Sequence, residues 1–268
     1  MERARESRYS KLIFDLDGTL YRGRSALPSA VEVINTLRTW ADLLFLSNNG
    51  GQTAQSLTQR LCALGFNANE RDVISSVTLA VEYISSLQEQ ASVFLINSGE
   101  LACALEAAGH RVVSAQEAEF LVVGVDFDLT YDTLDRGLLA LRNGVRLIAM
   151  NADPVYPVKE GFLPAAGAFV GAFRGMGYEP DYYCGKPDRQ AMEKALALRG
   201  MKIGPDCLVI GDHLETDIRG ARNIGVDSVL VLTGVSTRHD IGERGIYPTY
   251  VIDDLSELKP ILHNRPTG

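Results

Sequence analysis

Leu12-Ile13-Phe14-Asp15-Leu16-Asp17-Gly18-Thr19 carries the first apolar run of the chain into a pair of aspartates. Three consecutive apolar residues without polar alternation fit a strand buried on both faces of a sheet. In an open parallel sheet, ligands bind beyond the carboxyl ends of the strands, so Asp15 stands where chemistry is expected. Asp15 and Asp17 are two residues apart, a spacing at which extended residues face the same way, and Gly18 lets the chain turn just after them. One carboxylate can then attack a reacting centre while the other handles protons, provided their surroundings separate their pKa values.

The same grammar extends outward. Apolar runs at 43–46, 207–210, 228–232 and 250–252 read as further strands, and 30–40, 53–64, 189–199 and 216–224 as helices. Gly65 and Gly200 fall where helix C-termini favour a residue tolerant of positive φ. This alternation predicts an α/β fold, a three-layer core with a parallel sheet between helices. In the middle of the chain, strands are expected at 93–96, 120–125 and 146–150, with helices at 99–108 and 131–143. These define a second α/β module inserted at 77–181, leaving a core of 1–76 and 182–268. The glycine- and alanine-rich stretch 164–177 fits either a flexible loop or a close-packed helix.

Composition narrows the function. A net charge of −8 and a sequence pI near 5.1 give no general attraction to a nucleic-acid polymer or an anionic membrane. Four scattered cysteines with no Cys-x-x-Cys pair suggest neither a zinc knuckle nor a disulfide framework, and reduced thiols suit a cytoplasmic protein. No apolar run approaches the roughly 18 residues of a membrane helix, and the basic N-terminus lacks the apolar stretch of a secretory signal.

Reactive groups recur at the strand ends. The 43–46 run leads to Ser47-Asn48-Asn49, the 207–210 run to Gly211-Asp212 with Asp217 following, and the shorter 182–184 run to Gly185-Lys186-Pro187. As parallel neighbours, these would converge on one rim. Clustered carboxylates repel unless a cation joins them, and an oxygen-only donor set favours a hard ion, Mg²⁺. An aspartate about 4 Å from a phosphate faces repulsion of about 4 kcal/mol per charge pair at an effective dielectric of about 20. Mg²⁺ and Lys186 offset it, while the Ser47 hydroxyl and the amides after it suit the equatorial phosphoryl oxygens.

These ordered segments, with Thr216-Asp217 closing the fourth, resemble the four motifs of the haloacid dehalogenase superfamily. The insertion is similar to the type C2 cap of its class IIA branch. That branch includes NagD-like nucleotide and sugar phosphatases, p-nitrophenyl phosphatases, phosphoglycolate phosphatases and pyridoxal phosphate phosphatases. Leu46-Ser47-Asn48-Asn49 resembles the branch's second motif, and Tyr250-Val251-Ile252-Asp253 its final strand. The resemblance implies an Mg²⁺-dependent phosphatase acting on a small phosphorylated metabolite. Asp15 would form an aspartyl-phosphate. Asp17 would protonate the leaving oxygen and then deprotonate water. Asp15, the backbone carbonyl of Asp17 and Asp212 would hold the metal, with Asp217 supporting it, directly or through water, or orienting Lys186. Ser47 and Asn48 would contact the phosphoryl group, and Lys186 would bridge it to Asp15. A homodimer through the cap is also implied.

Met150-Asn151-Ala152-Asp153-Pro154 resembles the family's Asn-Pro-Asp cap loop, with Ala152 in place of the proline. Asn151 and Asp153 are therefore expected to face substrate. His213 reads as a loop residue at the entrance, Cys184 as a small buried residue, and Tyr182 and Tyr183 as cleft or hinge residues. Three rivals share parts of the pattern. A phospho-acceptor receiver domain is much shorter and does not need Asp17. A dehalogenase needs no general acid. A catalytically weak phospho-ligand binding protein would use the same site for recognition alone.

Overall fold

The computed structural model describes residues 7–158 and 161–263. It divides into two units, Met1–Ser47, Gln55–Ile74 and Pro187–Gly268 in the first, Asn48–Ala54 and Ser75–Lys186 in the second.

In chain order the main strands are β1 (Lys11–Phe14), β2 (Asp42–Ser47), β3 (Val73–Ser75), β4 (Ser92–Ile96), β5 (Arg111–Val112), β6 (Phe120–Val123), β7 (Arg146–Ala149), β8 (Tyr182–Tyr183), β9 (Cys207–Gly211), β10 (Asp227–Val231) and β11 (Tyr250–Ile252). The first unit is built on a six-stranded sheet ordered β11-β10-β9-β1-β2-β3. β1 pairs in parallel with both β9 and β2, and β9, β10 and β11 continue in parallel. Every residue of β9 is buried, as are all but the first of β1, β2 and β10, the pattern of strands covered on both faces. The covering helices include Ala30–Leu37, Ala54–Ala63, Arg189–Leu198 and Arg219–Ile224. Asp188 caps the third of these, its Oδ1 accepting the Ala191 N–H at 2.9 Å.

Asp72 locks one edge of this unit. It is fully buried, 2.7 Å from the Arg38 guanidinium and 2.9 Å from that of Arg199. Burial pushes its carboxyl up, but hydrogen bonding and charge from Arg38, with help from Asn69 and Arg199, outweigh that and hold it below the ordinary value of 3.8. A carboxylate depressed in the folded state contributes stability above its unfolded pKa, lost as pH falls through the lowered folded value. Asp72→Ala would leave two guanidinium groups facing an empty, desolvated site. A loss of about 3–5 kcal/mol is expected, read as a lower denaturant midpoint at unchanged slope.

The second unit holds a five-stranded sheet ordered β8-β7-β6-β4-β5, parallel at every pairing. Its core gathers Phe94, Ile96, Leu121, Val123, Ala140, Val170 and Phe173. Helices Ser76–Leu87, Leu101–Ala107, Tyr131–Arg142 and Ala166–Gly175 pack around it. The last resolves the open reading of 164–177. Ala166, Val170 and Phe173 form its buried stripe, and Gly167 donates its N–H to the Asp153 carbonyl at 2.8 Å where any Cβ would overlap the 152–153 backbone.

Two expectations are corrected, and one helix is added. The 182–184 run does not join the core rim. β8 pairs with β7 in the second sheet, and the Tyr182 ring stacks on Tyr83 at 3.9 Å between centroids. The helix expected from 216 begins instead as a π-helix at Leu214–Ile218, turning α-helical at Arg219. Helix Ser76–Leu87 is absent from the sequence reading, because its apolar positions lack a wide polar face.

Candidate active site

Register positions the first groups. Phe14 lies level with Ile210 of β9 and Phe45 of β2, so one step on Asp15 is level with Gly211 and Leu46, and a second step reaches Asp212 and Ser47. Asp15 extends the ladder by donating its N–H to the Ile210 carbonyl at 2.9 Å. β1 is thus the central strand, and its two neighbours deliver a carboxylate and a hydroxyl to the same rim. Ser47 is buried at this edge.

Asp212 is held on three sides. Its Oδ2 accepts the Val235 N–H at 2.7 Å, and its carbonyl accepts the Ser236 N–H at 3.0 Å. The hydroxyl of the fully buried Thr19 lies 3.5 Å from Oδ1. Gly18 and Gly234 crowd the same carboxylate so closely that a Cβ on either would overlap it, and Gly18 also sits at φ 91°. Asp217 arrives through the π-helix. Its N–H and that of Ile218 both reach the His213 carbonyl, and the Asp217 Oδ2 accepts the His213 N–H at 3.1 Å. Such a turn re-aims a side chain by one position, a device common at functional sites. Gly211 is required here as well, because a Cβ would meet the Asp217 side chain.

Asp15, Asp212 and Asp217 each place one carboxylate oxygen within 4.8 Å of the other two, and the last two residues are buried. Three like charges this close in a desolvated site demand a counter-charge. Oxygens bound to one hard cation at about 2.0–2.6 Å stand about 3 to 5 Å apart, so the residues fit a divalent metal site made only of oxygen. Asp217 belongs to this cluster by geometry, whereas its sequence motif left its part open.

The Asp17 carboxyl lies apart from the cluster. The chain leaves β1 through a tight turn in which Leu20 N–H bonds Leu16 O and Gly18 N–H bonds Tyr21 O, both at 2.8 Å. It then enters the short hairpin Tyr21–Arg22 and Ser25–Ala26. Arg60 braces that hairpin, its guanidinium 4.2 Å from the Tyr21 ring centre and bonded to Gly23 O, and it comes within 4.0 Å of Asp17 Oδ2. Desolvation by surrounding protein raises the Asp17 pKa, opposed by the charges of Arg60 and Arg22. The side chain keeps 60% of its surface open, so solvent screens these influences. A raised carboxyl suits a group that must donate a proton before it accepts one. Sequence reasoning gave no role to Thr19, Gly234, Val235 or Arg60.

The remaining expected residues gather within the second unit. Asn48 Nδ2 donates to Asp153 Oδ2 and to the Lys186 carbonyl, each at 2.9 Å, while its Oδ1 accepts the Lys186 N–H at 2.8 Å. Asn151 Nδ2 donates to the Asn48 carbonyl at 2.8 Å, and its Oδ1 accepts the Asp153 N–H at 3.0 Å. The Asn48 amide therefore has both hydrogens engaged, leaving its backbone N–H as the group for the phosphate contact expected of it. Asp153 and Asn151 likewise have internal partners. Lys186 and Cys184 are buried.

An aspartate at the end of a parallel strand, within three carboxylates that fit a divalent metal, is the arrangement a metal-assisted phosphoric monoester hydrolase needs. Comparison with known proteins agrees. The model of haloacid dehalogenase-like hydrolases matches residues 12–111, and that described as HAD-hydrolase-like matches 183–258. An acid sugar phosphatase of Staphylococcus epidermidis is 33% identical over 250 residues, 92% of this chain and 96% of that protein. The structure of a p-nitrophenyl phosphatase from Archaeoglobus fulgidus superposes with a TM-score of 0.90 at 32% identity, covering 95% of this chain and 99% of the other. A glycerol phosphate phosphatase from Mycobacterium tuberculosis, solved with magnesium, gives 0.84 at 34% identity, covering 96% and 77%. The chain belongs to the haloacid dehalogenase-like hydrolases, in their class IIA, NagD-like branch. Among the described residues, no helix is long and apolar enough to cross a membrane.

Proposed function

We propose that the protein hydrolyses small phosphate monoesters through an aspartyl-phosphate on Asp15, with Mg²⁺ in the Asp15–Asp212–Asp217 site. The observation that carries this reading is the position of Asp15, at the end of the central strand and inside the three-carboxylate cluster. An Asp15 oxygen attacks phosphorus, the ester P–O bond breaks, and Asp17 gives its proton to the leaving oxygen. Asp17, now a carboxylate, takes a proton from water as the water oxygen attacks phosphorus. The bond to Asp15 breaks and inorganic phosphate leaves. The Ser47 hydroxyl and the amides that follow it hold equatorial phosphoryl oxygens, and Lys186 adds positive charge, roles supported by motif order. Bound Mg²⁺ supplies the charge that lets an anionic nucleophile approach an anionic ester.

The named activities of the relatives point to sugar phosphates and glycerol phosphate as the substrate class, with nucleoside monophosphates beside them. The same reading takes the protein as cytoplasmic and as a homodimer through the inserted unit, whose antiparallel strand pair Val155–Val158 and Gly161–Pro164 leaves Val155, Phe162 and Leu163 exposed. The test is phosphate release from a panel of such esters. Activity should fall to background with a chelator and return on adding Mg²⁺. Tight binding of phosphate esters without metal-dependent release would favour a recognition protein instead.

A further inference from the structure

The side chain of Asn48 is spent on the main chain of Lys186. Oδ1 accepts the Lys186 N–H and Nδ2 donates to the Lys186 carbonyl, a two-point clasp that fixes the peptide plane on each side of the lysine. The second Nδ2 hydrogen goes to Asp153, and Asn151 holds the Asn48 carbonyl, so the clasp is itself braced from the 151–153 loop. Gly185 shows how tight the fit is. A Cβ there would stand 2.5 Å from the Asn48 Oδ1 and 3.1 Å from the Ser76 hydroxyl. Its φ is not in the left-handed region, so glycine is needed at 185 for space and not for backbone conformation.

We propose that Asn48 is a positioning residue for Lys186. It holds the lysine backbone so that the ammonium is presented in one orientation, and Asn151 and Asp153 serve this clasp. The proposal rests on the phosphate role assigned to Lys186 above. Lysine has a long, freely rotating stem, so a fixed backbone removes much of the misplacement that costs rate.

The test compares Asn48→Ala, Gly185→Ala and Lys186→Met, using inorganic phosphate as inhibitor of aryl phosphate hydrolysis. Gly185→Ala pushes the Asn48 amide away while leaving both Asn48 and Lys186 unsubstituted, and serves if Asn48→Ala folds poorly. Both are expected to weaken phosphate inhibition and lower kcat by about tenfold or more, with cooperative melting retained. In the Lys186→Met background, Asn48→Ala should add less than about a twofold effect, since its target is gone. Well-folded Asn48→Ala and Gly185→Ala proteins with unchanged kcat and phosphate inhibition would overturn the positioning role while leaving the phosphatase reading intact. So would an Asn48→Ala effect that stays undiminished in the Lys186→Met background. Unchanged phosphate inhibition in Lys186→Met alone would instead remove the role of Lys186, and the positioning role with it.

Discussion

Asp15→Asn is expected to lose at least about four orders of magnitude in kcat on every ester while keeping its fold. The amide matches the carboxylate in size, and the Asp15 N–H bond to Ile210 that seats it at the end of β1 does not involve the side chain. In the proposed mechanism, what disappears is a nucleophile and one of three metal ligands. Those two losses can be separated. Asp212→Asn also removes a ligand carboxylate, but it leaves Asp15 able to attack, so its defect should shrink as Mg²⁺ is raised. The Asp15→Asn defect should not, because no concentration of metal makes an amide attack phosphorus. Phosphate release measured for both variants across a range of Mg²⁺ distinguishes them. Full steady-state activity in pure Asp15→Asn would end the covalent mechanism.

The parts of this site that could be read from sequence are those fixed by strands. Asp15, Ser47 and Asp212 each end a buried apolar run, and parallel pairing with even register brings such ends level. No sequence pattern spells out a π-helix, so the placement of Asp217 in the metal cluster followed only from the extra residue in the turn at 214–218. The glycine and threonine packing around Asp212 was equally hidden. Thr19 lies inside the first motif, but its partner comes from a strand almost two hundred residues later, and Gly234 matters for the space it leaves empty.

Asn48 is the instructive case. It adjoins Ser47 in sequence, which suggests a shared ligand. Just past the strand end, its side chain bonds the main chain of Lys186. The short 182–184 run misleads for a related reason. Two residues of strand carry too little pattern to choose a sheet; they pair with β7, and Tyr182 stacks on Tyr83. Alternation of strands and helices therefore specifies the layered fold in both units. Side-chain partners across long separations, which sequence does not encode locally, supply the rest.

Asp17→Asn should behave differently from Asp15→Asn, and the difference depends on the leaving group. Asparagine keeps the shape of the side chain and its place above the Tyr21–Ala26 hairpin, but it can neither donate a proton to the ester oxygen nor accept one from water. An alkyl phosphate leaves as a poor, strongly basic alkoxide, so its attack by Asp15 should slow by about two to four orders of magnitude. An aryl phosphate such as p-nitrophenyl phosphate leaves as a stabilised anion and hardly needs the acid. For it the first step should proceed, while the water step that needs Asp17 as base stalls. The expected result is a burst of one p-nitrophenol per site, then slow turnover, with phosphate trapped on the protein as a hydroxylamine-sensitive acyl phosphate. Arg60, 4.0 Å from Asp17 and joined to the hairpin, should matter to the wild-type enzyme far more than to this variant, whose amide has no charge for it to oppose. A burst absent with the aryl ester, or equal losses on aryl and alkyl esters, would take the proton-transfer role away from Asp17.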